Sequence, residues 1–430
     1  MKTDNPLLVV SDGCGNAFEI PGIEAAGMRL RQPFQPDPDE WIPLPEGSRL
    51  MELPGRIPVG FDPKRRRFTT VPEHKGMPVI ACAAFAAPAY EQLYLAAYET
   101  DPGAPRLPLF AYGPVGWKEG GFWIASARVD LDVRHDTSQF DSDTVERSAE
   151  EMLKKHPGNR LVDHLVRRCV REYGCPNAQN FALGRWECPV PVSPGCNADC
   201  VGCISEQKKS GIRSTQDRIG FTPTVKEIIE YAVPHLQTAE RAMISFGQGC
   251  EGEPLLKSSL IEKTIRTVRR ETGRGTIHLN TNAGDPDAVE RMFHAGMDSI
   301  RVSLNSARPE YYQKYYRSKT YGFEDVLESL ARARKAGAWI SLNYFIFPGF
   351  TDGLEETEAL GEIVREFRVD LVQMRNLNID PEWVIDVLGL DPVPIQPMGI
   401  LKWRKIIKRK APWIRFGYFN PPKEEWGRKK

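Results

Sequence analysis

Three cysteines at CxxxCxxC spacing, Cys196, Cys200 and Cys203, lie within the ten residues from Pro194 to Cys203. The loop follows a Pro-rich extended run, Cys188 to Pro194, that reads as a strand end. Thiolates are the standing ligands of iron–sulfur centres, and three on one short loop can converge on one face of a cubane cluster. A fourth thiolate would complete the set. With three, one iron stays open and can bind and activate a small molecule. Two plainer readings fit the same residues. The triplet could be half of a zinc site, but such sites usually pair C-x2-C knuckles or bring histidines nearby, and no histidine lies between His164 and His235. The thiols could also be ordinary packing residues, since free cysteine is often buried.

The triplet resembles the signature of the radical S-adenosylmethionine (AdoMet) superfamily. The resemblance implies a [4Fe–4S] cluster whose open iron chelates the amino and carboxylate groups of AdoMet. It also implies reductive cleavage to a 5′-deoxyadenosyl radical, with an electron from a donor such as flavodoxin or ferredoxin. The protein would bind, orient and exclude side reactions. Gly202 stands where relatives usually carry an aromatic residue before the third cysteine. About fifty residues on, Gly247-Gln248-Gly249-Cys250-Glu251-Gly252-Glu253-Pro254 looks like the superfamily's Gly-Gly-Glu-Pro element, with Glu251 in place of the first glycine. By that likeness Gly252 and Glu253 hold the amino end of AdoMet; a lone Gly-rich turn is the plainer alternative. Ser303 and Asn305 would bind its ribose or carboxylate, Arg317 or Lys319 would pair with that carboxylate, and Ile346 would pack on adenine. For Arg317 and Lys319 a pair of solvated charges is the alternative.

These groups need a scaffold, and the pattern from Trp186 onward supplies one. Strand-like runs at Trp186–Val192, Arg241–Phe246, Thr276–Asn282, Ser299–Ser306, Trp339–Phe347 and Asp370–Leu377 alternate with helical stretches at Thr224–His235, Leu260–Thr272, Pro286–Ala295, Phe323–Ala336 and Glu355–Phe367. Thr224 and Glu227 form a capping box for the first helix. Six such units predict a parallel sheet with right-handed crossovers, too few to close an eight-stranded barrel. The fold class is therefore α/β, a partial (β/α)6 TIM-like barrel, which is also what the resemblance implies. Function in such folds collects at the carboxyl ends of the strands. Gln373, Met374, Arg375, Asn376 and Asn378 on or just after the sixth strand include residues that must face the lumen.

Around the barrel, placed at 186–385, the chain divides further. Residues 1–140 hold 17 of the 35 prolines and short apolar runs between turn signals, which predicts a β-rich accessory domain. Cys14 and Cys82 there read as packing thiols. Residues 141–185 read as a helical connector, with Leu161, Leu165, Val166 and Cys169 on one face of a helix over Arg160–Tyr173. Cys169, Cys175, Cys188 and Cys250 could together hold an auxiliary cluster, although their spacing matches no ferredoxin pattern. Residues 386–430 carry a basic amphipathic helix at 398–410, with Ile400, Trp403 and Ile407 on one side, then Trp413, Phe416, Tyr418 and Phe419 as packing or a lid. Residues 401–430 hold eleven basic and two acidic residues in a chain whose 57 basic and 57 acidic residues balance only when this tail is included. The helix either closes the barrel end or meets nucleic acid, an acidic membrane or a peptide. No membrane-spanning run or signal layout is evident, and nine irregularly spaced cysteines suit a reducing, cytoplasmic setting. No cysteine follows Cys250 and no cobalamin-type Asp-x-His-x-x-Gly element occurs. Three readings remain: a radical AdoMet enzyme of unassigned substrate, an RNA- or peptide-modifying subtype, and a non-catalytic metal-binding interaction protein.

Overall fold

The computed structural model describes residues 5–208, 210–390 and 396–427. Its centre is an all-parallel sheet of seven strands in sequence order: β1 (Glu187–Pro189), β2 (Met243–Phe246), β3 (Thr276–Thr281), β4 (Ser299–Leu304), β5 (Trp339–Ile346), β6 (Leu371–Asn376) and β7 (Arg415–Gly417). β1 and β7 form its two edges, so the barrel stays open. Six strands fall inside the runs read from the sequence, each trimmed at one end or both. The seventh comes from the aromatic tail, where Arg415, Phe416 and Gly417 pair in parallel with Leu371, Val372 and Gln373. β2 and β3 are buried at every position although Ser245, Thr276, His278, Asn280 and Thr281 are polar, a departure from the apolar run usual for a strand covered on both faces.

Three helices precede or enter the barrel: α1 (Ser142–Lys155), α2 (Arg160–His164), which continues as a π-helical segment Leu165–Glu172, and α3 (Pro176–Ala182). The single helix expected over 160–173 thus changes winding in mid-course. Tyr173 N–H bonds to the carbonyl of Arg168, five residues back, at 2.9 Å. The barrel helices are α4 (Val225–Thr238), α5 (Ser258–Glu271), α6 (Pro286–Ala295), α7 (Pro309–Tyr316), α8 (Phe323–Lys335) and α9 (Leu354–Glu366), followed by α10 (Pro381–Leu388) and α11 (Ile400–Lys410). Thr224 and Glu227 form the capping box at the start of α4, and Arg160 adds a bidentate pair to Glu227 at 2.7 and 2.9 Å.

α11 packs on α9. Ile400, Trp403 and Ile407 are its buried side, and the Trp403 ring lies over Tyr344 at 6.2 Å with the planes 7° apart. Lys410 pairs with Glu358 at 2.5 Å and Lys408 donates to the Ile414 carbonyl at 2.6 Å. The helix is therefore a closing element with a solvated outer side.

Residues 7–128 form sixteen strands in antiparallel pairings, most of them in one eleven-stranded sheet. This β-rich region is fastened to the carboxyl-end side of the barrel. Arg56 pairs with Asp380 at 2.9 Å, both side chains 2% exposed, and Leu107 N–H donates to the same carboxylate at 2.9 Å. A buried pair stripped of one partner leaves an uncompensated charge, at a cost of about 3–5 kcal/mol. Gln92 N–H donates to Asn376 Oδ1 at 2.9 Å, and Asn376 Nδ2 donates to the Tyr90 carbonyl at 2.9 Å. Among the described residues no helix is long and apolar enough to cross a membrane.

Candidate active site

The cysteine loop has no regular structure of its own, so its shape comes from what grips its backbone. The last carbonyls of a helix lack intrahelical partners, and α7 offers two of them. Tyr316 O accepts from Asp199 N–H and Tyr315 O from Val201 N–H, each at 3.0 Å. Lys319 N–H donates to Asn197 O at 2.9 Å, and Asn282 Nδ2 donates to Asn197 Oδ1 at 2.8 Å. The loop after β2 presses on the other side. Gly252 N–H bonds Ser193 O at 2.7 Å and Glu253 N–H bonds Gly195 O at 2.8 Å. An added Cβ at Gly252 would collide with the Gly195 carbonyl, so this contact requires glycine.

Glu251 ties the two loops together. Its Oε2 accepts from Val192 N–H at 2.7 Å and Ser193 N–H at 3.0 Å, and its Oε1 from Gly247 and Gln248 N–H, both at 2.7 Å. Burial pushes this carboxyl up to about 7 against those four donors. Glu253 is braced similarly: Thr281 Oγ1 donates at 2.5 Å, Asn282 N–H at 2.9 Å and Leu255 N–H at 3.0 Å, and burial lifts it too to about 7. The Thr-Asn end of β3 therefore supports the Gly-rich loop.

A cavity of about 550 Å3 opens beside these loops at the carboxyl ends of the strands. Cys196, Cys200 and Cys203 border it, as do Gly252 and Ser303. Four other expected residues stand elsewhere, and Glu253 is engaged in the brace just described. Asn305 lies past the end of β4, where Nδ2 reaches Tyr311 O at 3.4 Å and Oδ1 has no hydrogen-bond partner. Ile346 is fully buried and does not border the cavity: Asn343 and Phe345 do, and side chains alternate along a strand. Arg317, in left-handed conformation at the C-cap of α7, and Lys319 are both exposed. Lys319 contributes backbone to the brace, Arg317 N–H closes α7 on Gln313 O, and neither side chain borders the cavity.

The lumen also holds Arg375, one of the sixth-strand residues expected there, and Arg301, which the sequence reading passed over. Arg301 shares its face of β4 with Ser303, and its Nη1 donates to Gln373 Oε1 at 2.7 Å. Arg375 on β6 lies over the Tyr418 ring at 3.9 Å. Ser303, Asn343 and Gln373 are register partners across β4, β5 and β6, and Phe345 is opposite Arg375. Burial, then the neighbouring Arg375 guanidinium, pulls Arg301 down to about 9. Alternation from Ser303 would have found Arg301. Tyr315 could not be found that way: its hydroxyl lies 2.5 Å from where a Gly202 Cβ would be. A ring from α7 thus approaches the cavity at the position whose own side chain is missing. Arg218 Nη2 comes to 3.5 Å from Cys203 Sγ.

The donor set discriminates between one ion and a cluster. Among the described residues, one group of three ligand atoms gathers within 4.8 Å, and it is not the triplet. A single tetrahedral zinc with Zn–S near 2.3 Å would hold its sulfurs about 3.8 Å apart. A cubane spreads its thiolates over different irons. Three free thiols around one cavity, too far apart for one ion, fit the cubane. A family model described as the Radical SAM superfamily matches residues 190–360. Over that stretch the barrel is similar to radical SAM domains. Radical SAM proteins use a [4Fe–4S] cluster and AdoMet. The chain is 26% identical over 196 residues to GTP 3′,8-cyclase of Streptomyces coelicolor, covering 45% of this chain and 54% of that protein. It is 25% identical over 187 residues to the FeMo cofactor biosynthesis protein NifB of Klebsiella pneumoniae, covering 38% and 37%. A crystal structure of a radical SAM methyltransferase from Sphaerobacter thermophilus aligns with TM-score 0.40 at 16% identity, over 54% of this chain and 66% of that one. The chain thus spans about half or less of the length of these curated relatives.

Proposed function

We propose that this radical SAM protein binds one [4Fe–4S] cluster through Cys196, Cys200 and Cys203 and acts on a small anionic substrate held by Arg301 and Arg375. The observation that carries this reading is that all five side chains border one cavity. When bound, the cluster and AdoMet supply a 5′-deoxyadenosyl radical by reductive cleavage, with the electron from a carrier such as flavodoxin or ferredoxin. The rest is the work of this chain. Gly252 lets the Gly-rich loop close on the cysteine loop, and Glu251 locks the two by four backbone bonds. Ser303 presents a hydroxyl for the ribose or carboxylate of AdoMet, with Phe345 and Tyr315 as apolar wall.

The charge of the cavity supports the anionic substrate. Neither Arg301 nor Arg375 has a carboxylate within ion-pair distance among the described residues, and the Arg301 Nε has no hydrogen-bond partner. The carboxylate bordering the cavity, Glu251, is saturated by backbone amides. Two guanidiniums with spare donors in a confined site attract a carboxylate or phosphate. The volume falls in the range of about 300–1,000 Å3 usual for small-molecule sites. Phe85 to Pro88 and Tyr90 of the β-rich region form part of the wall, which gives that region a role in keeping water out. The basic helix lends less support to an RNA or peptide substrate, because its apolar side is buried on α9.

The test is anaerobic reconstitution with iron and sulfide, reduction with dithionite, and assay of 5′-deoxyadenosine against a panel of carboxylates and nucleoside phosphates. About four irons per chain, AdoMet cleavage, and stimulation by an anion that Arg301→Ala no longer answers are expected. No cleavage by protein holding its four irons would overturn the enzyme reading. Stimulation by neutral compounds alone would overturn the anionic one.

A further inference from the structure

Among the described residues, the ligand atoms that do gather within 4.8 Å of one another are those of His164, Cys169 and Cys250, none of which borders the cavity. Cys169 Sγ is 3.7 Å from Cys250 Sγ and 3.8 Å from His164 Nε2. We propose that these three side chains bind a single zinc ion, separate from the iron–sulfur site, that staples the π-helical segment to the loop Gly247–Glu253. Two thiolates and an imidazole are a zinc donor set, and two thiolates neutralise the charge of the ion. The sulfur separation is that of two ligands on one tetrahedral ion at about 2.3 Å each.

The winding of the helix is the second observation. His164 and Cys169 are five residues apart, which at 3.6 residues per turn sets them roughly 140° apart around an α-helix. The segment Leu165–Glu172 is π-helical, and the i→i+5 register brings the fifth residue back under the first. π-Turns are uncommon and cluster at functional sites. Here the unusual turn produces the juxtaposition, and Cys250 arrives from 81 residues away to complete it. Cys175 and Cys188, grouped with these cysteines in the sequence reading, are not among the three, so the gathered donor set is that of one ion and not of an auxiliary cluster. His164 also borders an open cavity with His156, Asn159 and Phe221, a route by which the ion enters and a solvent ligand can fill the fourth position.

The zinc assignment does not depend on the proposed enzyme. Its consequence does: the ion would fix Cys250, next to Glu251, and so hold the loop proposed to carry AdoMet. The experiment therefore begins with the full chain carrying Cys196→Ala, Cys200→Ala and Cys203→Ala, which cannot hold the cluster. Metal analysis should find about one zinc per chain, falling below about a tenth when His164→Ala and Cys169→Ser are added. Cobalt in place of zinc should give a sulfur-to-metal charge-transfer band that disappears with Cys169→Ser alone. If the combined variant fails to fold by circular dichroism, chelator-driven release of zinc from the triple variant, followed with a chromogenic indicator, replaces it. Folded triple variant without zinc or cobalt after reconstitution overturns the proposal. So does a Cys169–Cys250 disulfide, seen as a two-dalton loss of mass, in protein purified under reducing conditions.

Discussion

Two groups of cysteines, both tied to the same Gly-rich loop, have opposite designs. The triplet is contiguous in sequence, half-buried at a cavity mouth, and too spread for one ion. The Cys169–Cys250 pair is buried, distant in sequence, and close in space. Ligand spacing, more than ligand type, decides between a multi-iron cluster and a single ion. Glu251 stands between the two groups: its carboxylate holds the cysteine loop, and its neighbour in sequence belongs to the other group.

The comparison breaks most sharply under metal counting. Cys200→Ala should take iron from about four per chain to near none and abolish 5′-deoxyadenosine formation, while zinc stays at about one. Cys169→Ser should do the reverse, losing zinc and keeping iron. Loss of both metals in either variant would mean that the groups are one coupled site. Next in size is Arg301→Ala, on the cavity side only. Loss of a charge-assisted hydrogen bond of about 1.5–3 kcal/mol should weaken stimulation by the anionic substrate about ten- to a hundredfold. Unstimulated AdoMet cleavage should persist, and equal loss of both rates would reassign Arg301 to AdoMet.

The difference between the groups also explains how much was legible in the sequence. The triplet was readable because its ligands lie on one loop, and the barrel because strand and helix periods are local: β1 to β6 fall within the expected runs, and α6 has the expected ends, Pro286 and Ala295. Of the second group the sequence offered only the thiols, Cys169 and Cys250 together with Cys175 and Cys188; the place of His164 and the choice of these two were not readable, since they depend on a change of helical winding and on a contact across 81 residues. The same limit applies to α7. Its tyrosines at 311, 312, 315 and 316 have helical spacing, yet its use, carbonyls bracing the cysteine loop and a ring beside Gly202, is a tertiary fact. Ile346 shows a smaller failure: the strand was found, and period-2 alternation placed its neighbours Asn343 and Phe345, not Ile346, in the lumen.

Glu251 offers a pH test of the link between the groups. Its folded carboxyl titrates at about 7 against an ordinary 4.5, so between those values the native chain holds a proton that the unfolded chain has released. More protons on the native state mean that this group's contribution to stability rises as pH falls from 7 toward 4.5 and declines as pH rises through 7. Glu251→Gln should remove that contribution, making the urea midpoint of the chain less dependent on pH across this window by up to one proton. An unchanged dependence would show that Glu251 is ionised throughout, held by its four amides.

The smallest expected effect is at Arg317 and Lys319, the basic residues that the sequence offered for the AdoMet carboxylate. Their side chains are exposed, and their part in the site is backbone: Lys319 N–H on Asn197 O, and the Arg317 N–H on Gln313 O that ends α7. Truncating both to alanine leaves those bonds in place. Stability should stay within about 0.5 kcal/mol, and AdoMet affinity, measured by calorimetry on the reconstituted protein, should change less than about twofold. A tenfold loss would require one of these side chains to swing into the cavity when AdoMet binds, and the carboxylate would then be held from the α7 side of the loop, leaving Arg301 and Arg375 wholly to the substrate.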